Sequence, residues 1–191
     1  MRAVIGLRNP GPEYERTRHN VGAEVVEALA RSLGEKFGRG PSRVRCSTAE
    51  SIVGGTKVVL AVPLTYMNES GGPVRSLADY FGVTGENLLV IHDDIDLPFG
   101  RLRLQLGGGT GGHNGLRSIE TALGTREFAR LKFGVGRPPG RMDPADFVLR
   151  RFAKAERVEV DLMIADAADV AASWITDLET ATRQAGERRP A

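Results

Sequence analysis

The sequence predicts an α/β fold, a single domain in three α/β/α layers around a mixed, mostly parallel central sheet. Strand-like and helix-like apolar patterns alternate along the chain instead of falling into blocks, the order expected of a layered sheet. The run Leu88 to Ile91 is continuously apolar, the mark of a central strand covered on both faces. A length of 191 residues with 41% hydrophobic content is enough to bury a substantial core without disulfide or metal staples.

The elements follow in order. Val4, Ile5 and Leu7 read as a first strand that stops at Asn9-Pro10-Gly11-Pro12, because proline cannot continue a ladder. A loop to Asn20 precedes a helix striped by Val25, Val26, Leu29, Ala30 and Leu33 and closed by Gly34 and Gly38. Two apolar runs, 51–53 and 58–62, flank Gly54-Gly55 as a hairpin. Val74, Leu77, Ala78 and Phe81 stripe a short helix ending at Gly82. The buried strand at 88–91 delivers His92, Asp93 and Asp94 at its carboxyl end, where sites form in open α/β sheets. Leu102, Leu104 and Leu106 alternate with Arg101, Arg103 and Gln105, a half-buried strand, and a glycine loop follows at 107–112. Leu131, Phe133 and Val135 alternate again before Pro138-Pro139-Gly140 and a short helix after Asp143-Pro144. A last long helix is expected over 155–182, with Val158, Leu162, Ala165, Ala168, Ala172 and Ile175 on its buried stripe. Residues 1–185 make up the domain, and 186–191 read as a flexible, frayed tail.

The lone Cys46 cannot form an intrachain disulfide, the opening Met1 to Leu7 is too short an apolar run for a signal peptide, and no stretch approaches the roughly 20 apolar residues of a membrane span. A cytoplasmic protein with no membrane contact is expected. The net charge of +2 conceals an uneven distribution. Between Arg101 and Arg157 stand 12 Lys and Arg against 5 Asp and Glu, a local +7, whereas the rest of the chain carries −5. Such a segment is either a solvated face or a landing surface for a polyanion, and composition leaves both open.

The glycine loop satisfies G-x-G-x-x-G before a helix, so a dinucleotide site has to be weighed. The match is poor: the strand before it alternates, and the acid about 20 residues on, Glu127, stands beside Arg126. No Lys-Ser/Thr pair follows to make a P-loop. Cys46 lies in no nucleophile motif, and no G-x-S-x-G elbow is present. Three histidines, His19, His92 and His113, sit in loops or at a strand end. A histidine whose tautomer is held by a carboxylate is a competent general base near neutral pH, and Asp93 and Asp94 are the candidate carboxylates. For any one histidine alone, a surface residue with no task is the commoner reading. The three lack short-range metal-ligand spacing. Asn9, Asn68 and Asn114 flank predicted elements; amides suit an uncharged peptide or ester, and turn formation is the plainer alternative. Tyr14 and Tyr66 offer aromatic faces to a base or sugar.

Taken together, Gly6-Leu7-Arg8-Asn9-Pro10-Gly11 with Tyr14 and Thr17-Arg18-His19-Asn20, then Pro63-Leu64-Thr65-Tyr66-Met67-Asn68, His92-Asp93-Asp94-Ile95-Asp96-Leu97-Pro98 and Gly107 to Gly115, resemble bacterial peptidyl-tRNA hydrolases over essentially the whole chain. The resemblance implies a monomeric cytoplasmic enzyme that hydrolyses the ester between a peptide and the 3′ ribose of tRNA, freeing tRNA for translation. Its partner is peptidyl-tRNA, through the acceptor stem and 3′ end; no cofactor, metal or obligate protein partner is implied. His19 corresponds to the general base and Asp93 to the residue that orients it. Asn9, Asn68 and Asn114 correspond to positions that hold the peptide and the tRNA end, Tyr14 and Tyr66 to tRNA contacts, and Met67 and His113 to the cleft lining. The basic segment becomes the surface for tRNA phosphates. Gln105 and Lys132 stand where some relatives carry Lys and Arg; Lys132 keeps the charge, and Arg103 or Arg101 lies near enough to replace the first.

Overall fold

The computed structural model describes all residues 1–191. Seven strands form one sheet: β1 (Arg2–Gly6), β2 (Gly38–Arg39), β3 (Cys46–Val53), β4 (Thr56–Pro63), β5 (Leu88–Asp94), β6 (Leu102–Leu106) and β7 (Ala129–Gly134). Their spatial order is β2-β3-β4-β1-β5-β7-β6. The four central strands β4, β1, β5 and β7 run parallel; β3 on one side and β6 on the other run antiparallel to them, and the short β2 pairs antiparallel with β3.

Six helices cover the sheet: α1 (Val21–Ser32), α2 (Gly71–Phe81), α3 (Asn114–Leu123), α4 (Pro144–Val148), α5 (Lys154–Thr176) and α6 (Leu178–Glu187). The side chains of β1 show why both faces must be covered. Val4 joins a cluster with α1, α5 and α6, and Ala3 and Ile5 join one with α2 and α3. Strand alternation thus feeds two cores, and the expected three layers result.

The glycine signals hold where the backbone needs them. Gly54 and Gly55 take φ of 54° and 81° in the two-residue turn between β3 and β4, which L side chains disfavour. Gly22 serves a different need, close approach: a Cβ there would lie 2.1 Å from the Ile91 carbonyl oxygen, midway along β5. Gly22→Ala is therefore expected to push α1 off the sheet and destabilise the protein by about 1–3 kcal/mol. The readout is a lower urea midpoint at unchanged slope; an unchanged midpoint would mean that α1 shifts freely.

Three expectations are corrected. The helix predicted over 155–182 is two helices, broken at Asp177, whose carboxylate accepts from the Thr180 amide at 3.1 Å and caps α6. Of the stripe expected on α5, Ala168 and Ile175 are buried, whereas Val158, Leu162 and Ala165 face solvent and Val160, Met163, Ile164, Ala167, Ala171 and Trp174 are buried instead. So alanine-rich a helix offers more than one apolar phase, and the sheet chooses between them. Residues 186–191 are tied down. Arg188 is buried, donating to the Gly100 carbonyl at 2.8 Å and to Asp166 at 3.0 Å, and it pairs with Glu159. No helix is long and apolar enough to cross a membrane.

Candidate active site

The carboxyl ends of the parallel strands converge on one cleft of about 320 Å³. The segment after β1 brings Asn9 and His19, that after β4 brings Met67 and Asn68, β5 carries Asp93 next to its last residue, and the segment after β7 carries α4. The glycine loop takes a longer route. Because β6 is antiparallel to β7, the loop leaves from the far end of the sheet, where Leu106 pairs with Ala129. It must travel back to place His113 beside Asp93. Arg130, fully buried, holds it on the way by donating to the Gly109 carbonyl at 2.8 Å and to Glu120 of α3 at 2.7 Å.

Asp93 is the hub. His19 Nδ1 donates to its Oδ1 at 2.9 Å and Oδ2 at 3.0 Å, and His113 Nε2 donates to Oδ1 at 3.0 Å. The opposite edge of each ring fixes the tautomer. His113 Nδ1 accepts from the Gly115 and Leu116 amides at 3.1 and 3.3 Å, capping α3, so its proton has to sit on Nε2. His19 spends Nδ1–H on the carboxylate, which leaves the Nε2 lone pair facing the cleft. Burial opposes ionisation of Asp93, but the two imidazoles win and hold it far below the usual carboxylate range. For His19, burial favours the neutral ring, yet the charge and hydrogen bonds of Asp93 raise its pKa above the ordinary imidazole value. His113, also buried, is lowered.

The third histidine has a different task. His92 Nδ1 donates to the main-chain carbonyl of Asp93 at 2.8 Å, and burial, then His113, push its pKa down to about 3. It stays neutral and packs edge-on against His113, with centroids 5.0 Å apart.

These contacts decide the other chemistries. His19, Asp93 and His113 bring their ligand atoms within 4.8 Å of one another, but the capping bonds to His113 Nδ1 keep a proton on the nitrogen that a cation would need. The α3 amides that would meet a pyrophosphate are taken by the same imidazole, so the G-x-G-x-x-G spacing does not mark a dinucleotide site. Cys46 is buried, and its thiol is pushed up to about 12, away from any thiolate role.

Asn9 is locked by its neighbours. Its side-chain oxygen accepts from the Met67 amide at 2.7 Å, which turns its NH2 toward the cleft, while Asn20 grips its main chain in both directions at 2.8 and 2.9 Å. Asn68 and Asn114 are exposed and line the same cleft, so three amides face one space with His19. Opposite them, Pro144, Ala145, Val148 and Leu149 make an apolar wall.

The family model for peptidyl-tRNA hydrolase matches residues 3–190. The chain belongs to the peptidyl-tRNA hydrolase family. A peptidyl-tRNA hydrolase of Kineococcus radiotolerans is 53% identical over 171 residues, covering 87% of this chain and 86% of that protein. One from Rhodococcus erythropolis is 52% identical over 166 residues, covering 87% of each. The crystal structure of the Acinetobacter baumannii peptidyl-tRNA hydrolase superposes with a TM-score of 0.93 at 33% identity, covering all of this chain and 97% of that one. Family membership makes the reaction hydrolysis of peptidyl-tRNA.

Within this peptidyl-tRNA hydrolase fold, the predicted residues separate into two groups. His19, Asp93, Asn9, Met67, Asn68, His113 and Asn114 all line the cleft. Tyr14 and Tyr66 do not; they pair edge to face with centroids 6.4 Å apart. Arg103 is exposed directly across the sheet from Lys132, whose ammonium lies 3.7 Å from Asp94. Gln105 packs on the glycine loop, where a Cβ on Gly108 would meet its amide nitrogen. Of the two candidate carboxylates, Asp94 is thus turned toward Lys132 and only Asp93 reaches the histidines. Sequence reasoning missed Asn20 and the α4 wall. Adjacency to His19 was the one available signal for Asn20, and α4 carried none, because its apolar residues read as an ordinary short helix.

Proposed function

We propose that this cleft cleaves the ester between a peptidyl, or N-blocked aminoacyl, group and the 3′ ribose of tRNA with water activated by His19. The observation that carries the proposal is the bifurcated His19–Asp93 hydrogen bond, with the remaining ring nitrogen open to the cleft. In the forward step His19 Nε2 takes a proton from water as the water oxygen bonds to the ester carbonyl carbon. The resulting imidazolium is matched by the adjacent Asp93 carboxylate. Collapse of the tetrahedral species breaks the bond to the ribose oxygen, which takes the proton back from His19. The products are a carboxylic acid and free tRNA, and His19 is restored.

The Asn9 NH2, already oriented by Met67, supports a donor role toward an acyl or peptide carbonyl, and Asn68 and Asn114 add amides that both donate and accept. Arg103 and Lys132 supply positive charge outside the cleft for tRNA phosphates, with Tyr14 and Tyr66 as aromatic contacts for the 3′ end. The experiment is incubation with N-acetyl-aminoacyl-tRNA beside its unacetylated counterpart. Cleavage of the acetylated species alone is expected; equal cleavage of both would overturn the role given to the amides, and cleavage of neither the reaction.

A further inference from the structure

Arg18, beside the general base, does not face the cleft. It is buried on the other side of its loop. One terminal nitrogen donates to the carbonyls of Phe147, Arg150 and Arg151 at 3.4, 3.3 and 3.1 Å, and the other to Glu156 Oε1 at 3.1 Å. The guanidinium lies 3.9 Å from the Phe147 ring centroid. Its main chain repeats the attachment: the Arg18 amide donates to the Arg150 carbonyl at 3.1 Å, and Thr17 bridges Arg151. Glu156 is itself anchored, accepting from the Ala153 amide at 2.8 Å where α5 begins.

Those carbonyls belong to the end of α4 and the turn after it: that of Phe147 also accepts from the Arg150 amide, and those of Arg150 and Arg151 lie beyond the helix and need donors. A flat fork with several donors suits such a set in a way that a lysine ammonium does not. Phe147 points from α4 toward Arg18, whereas Pro144, Ala145, Val148 and Leu149 point into the cleft. The same short helix is therefore clamped on one side and exposed to substrate on the other.

We propose that Arg18 is a positioning residue that sets the spacing between His19 and the α4 wall, and thereby the preference of the site for apolar acyl groups on the tRNA. The apolar side of the cleft is concentrated on α4, and an aminoacyl side chain is the apolar part of the substrate. The proposal rests on reading the cleft as the ester site.

The test compares KM for N-acetyl-leucyl-tRNA and N-acetyl-glycyl-tRNA in the wild type and in Arg18→Lys. A displaced apolar wall is expected to raise KM for the leucyl substrate about tenfold, the scale at which a hydrophobic pocket discriminates, and for the glycyl substrate much less. The pH dependence of kcat should keep its midpoint, because Asp93 still holds His19. Combining Arg18→Lys with Val148→Ala should give less than the product of the single effects, since both act through one wall. Glu156→Gln, which keeps the carbonyl contacts, should move the leucyl-to-glycyl ratio the same way by less, and it serves as the readout if Arg18→Lys folds poorly. An unchanged ratio, an equal rise in both KM values, multiplicative combination or a moved pH midpoint would overturn the proposal. Failure of the ester reading is separable from all of these: it would show as full cleavage of both substrates by His19→Ala.

Discussion

His19→Ala should fold, bind tRNA and lose hydrolysis by about 10²–10⁴-fold, the usual cost of removing a general base. Folding survives because the substitution leaves no buried charge without a partner: Asp93 keeps the His113 Nε2–H bond at 3.0 Å. Binding survives because the amides and the cationic surface are untouched. Single-turnover cleavage of N-acetyl-aminoacyl-tRNA, with tRNA binding and a thermal melt as controls, checks each part, and wild-type turnover would remove His19 from the mechanism. The pH profile gives an independent reading. The base works only when neutral, and its pKa is raised by Asp93, so kcat/KM should fall as pH drops through a midpoint above the ordinary 6.5 or so of imidazole. His92 and His113 are lowered and should add no ionisation above that value.

Asp93→Asn should cost a similar amount for a different reason, on the order of 10⁴-fold, the penalty of a wrong imidazole tautomer. Both histidines present an N–H to Asp93 Oδ1, and His19 Nδ1–H also faces Oδ2, whereas an amide has one acceptor oxygen and one donor nitrogen. His113 cannot give up its Nε2 proton while its Nδ1 accepts from Gly115 and Leu116, so it claims the asparagine oxygen. The amide NH2 then lies where Oδ2 accepted from His19, asking Nδ1 to accept and moving the proton to Nε2. The base loses its lone pair on the cleft side. Stability should change little, because removing a buried carboxylate also removes its desolvation cost. An Asp93→Asn enzyme with wild-type kcat would refute the tautomer argument; one that simply unfolds would show that the carboxylate is needed for folding. A reduced kcat whose pH midpoint falls below that of the wild type would support it.

Much of this site was legible in one dimension. The segments Asn9 to Asn20, Pro63 to Asn68 and His92 to Pro98 each end or follow a parallel strand, and such positions meet at one edge, whereas Gly107 to Gly115 follows the antiparallel β6 and reaches that edge only by travelling back across the sheet. What was not legible depended on directions in space. Asp93 and Asp94 are neighbours of the same type, and strand alternation sends one to His19 and the other to Lys132. His113 read as cleft lining, whereas its cap on α3 is what fixes the proton on the nitrogen facing Asp93. Arg18 read as a flank of His19, because the carbonyls that it binds lie some 130 positions away.

The same division holds for the fold. Periodicity and glycine placement determined every strand but β2 at Gly38–Arg39, most helix ends and the layered class, because these depend on local sterics and on which side of an element is apolar. The phase of α5, the break at Asp177 and the docking of Arg188 were decided only when the elements packed, since an alanine-rich stripe and a charged terminus have no preferred partner until a surface is offered. The residues of a catalytic base and its carboxylate could be named from sequence. The tautomer that makes one of them a base is set by hydrogen bonds between segments remote along the chain, and those exist only in the folded protein.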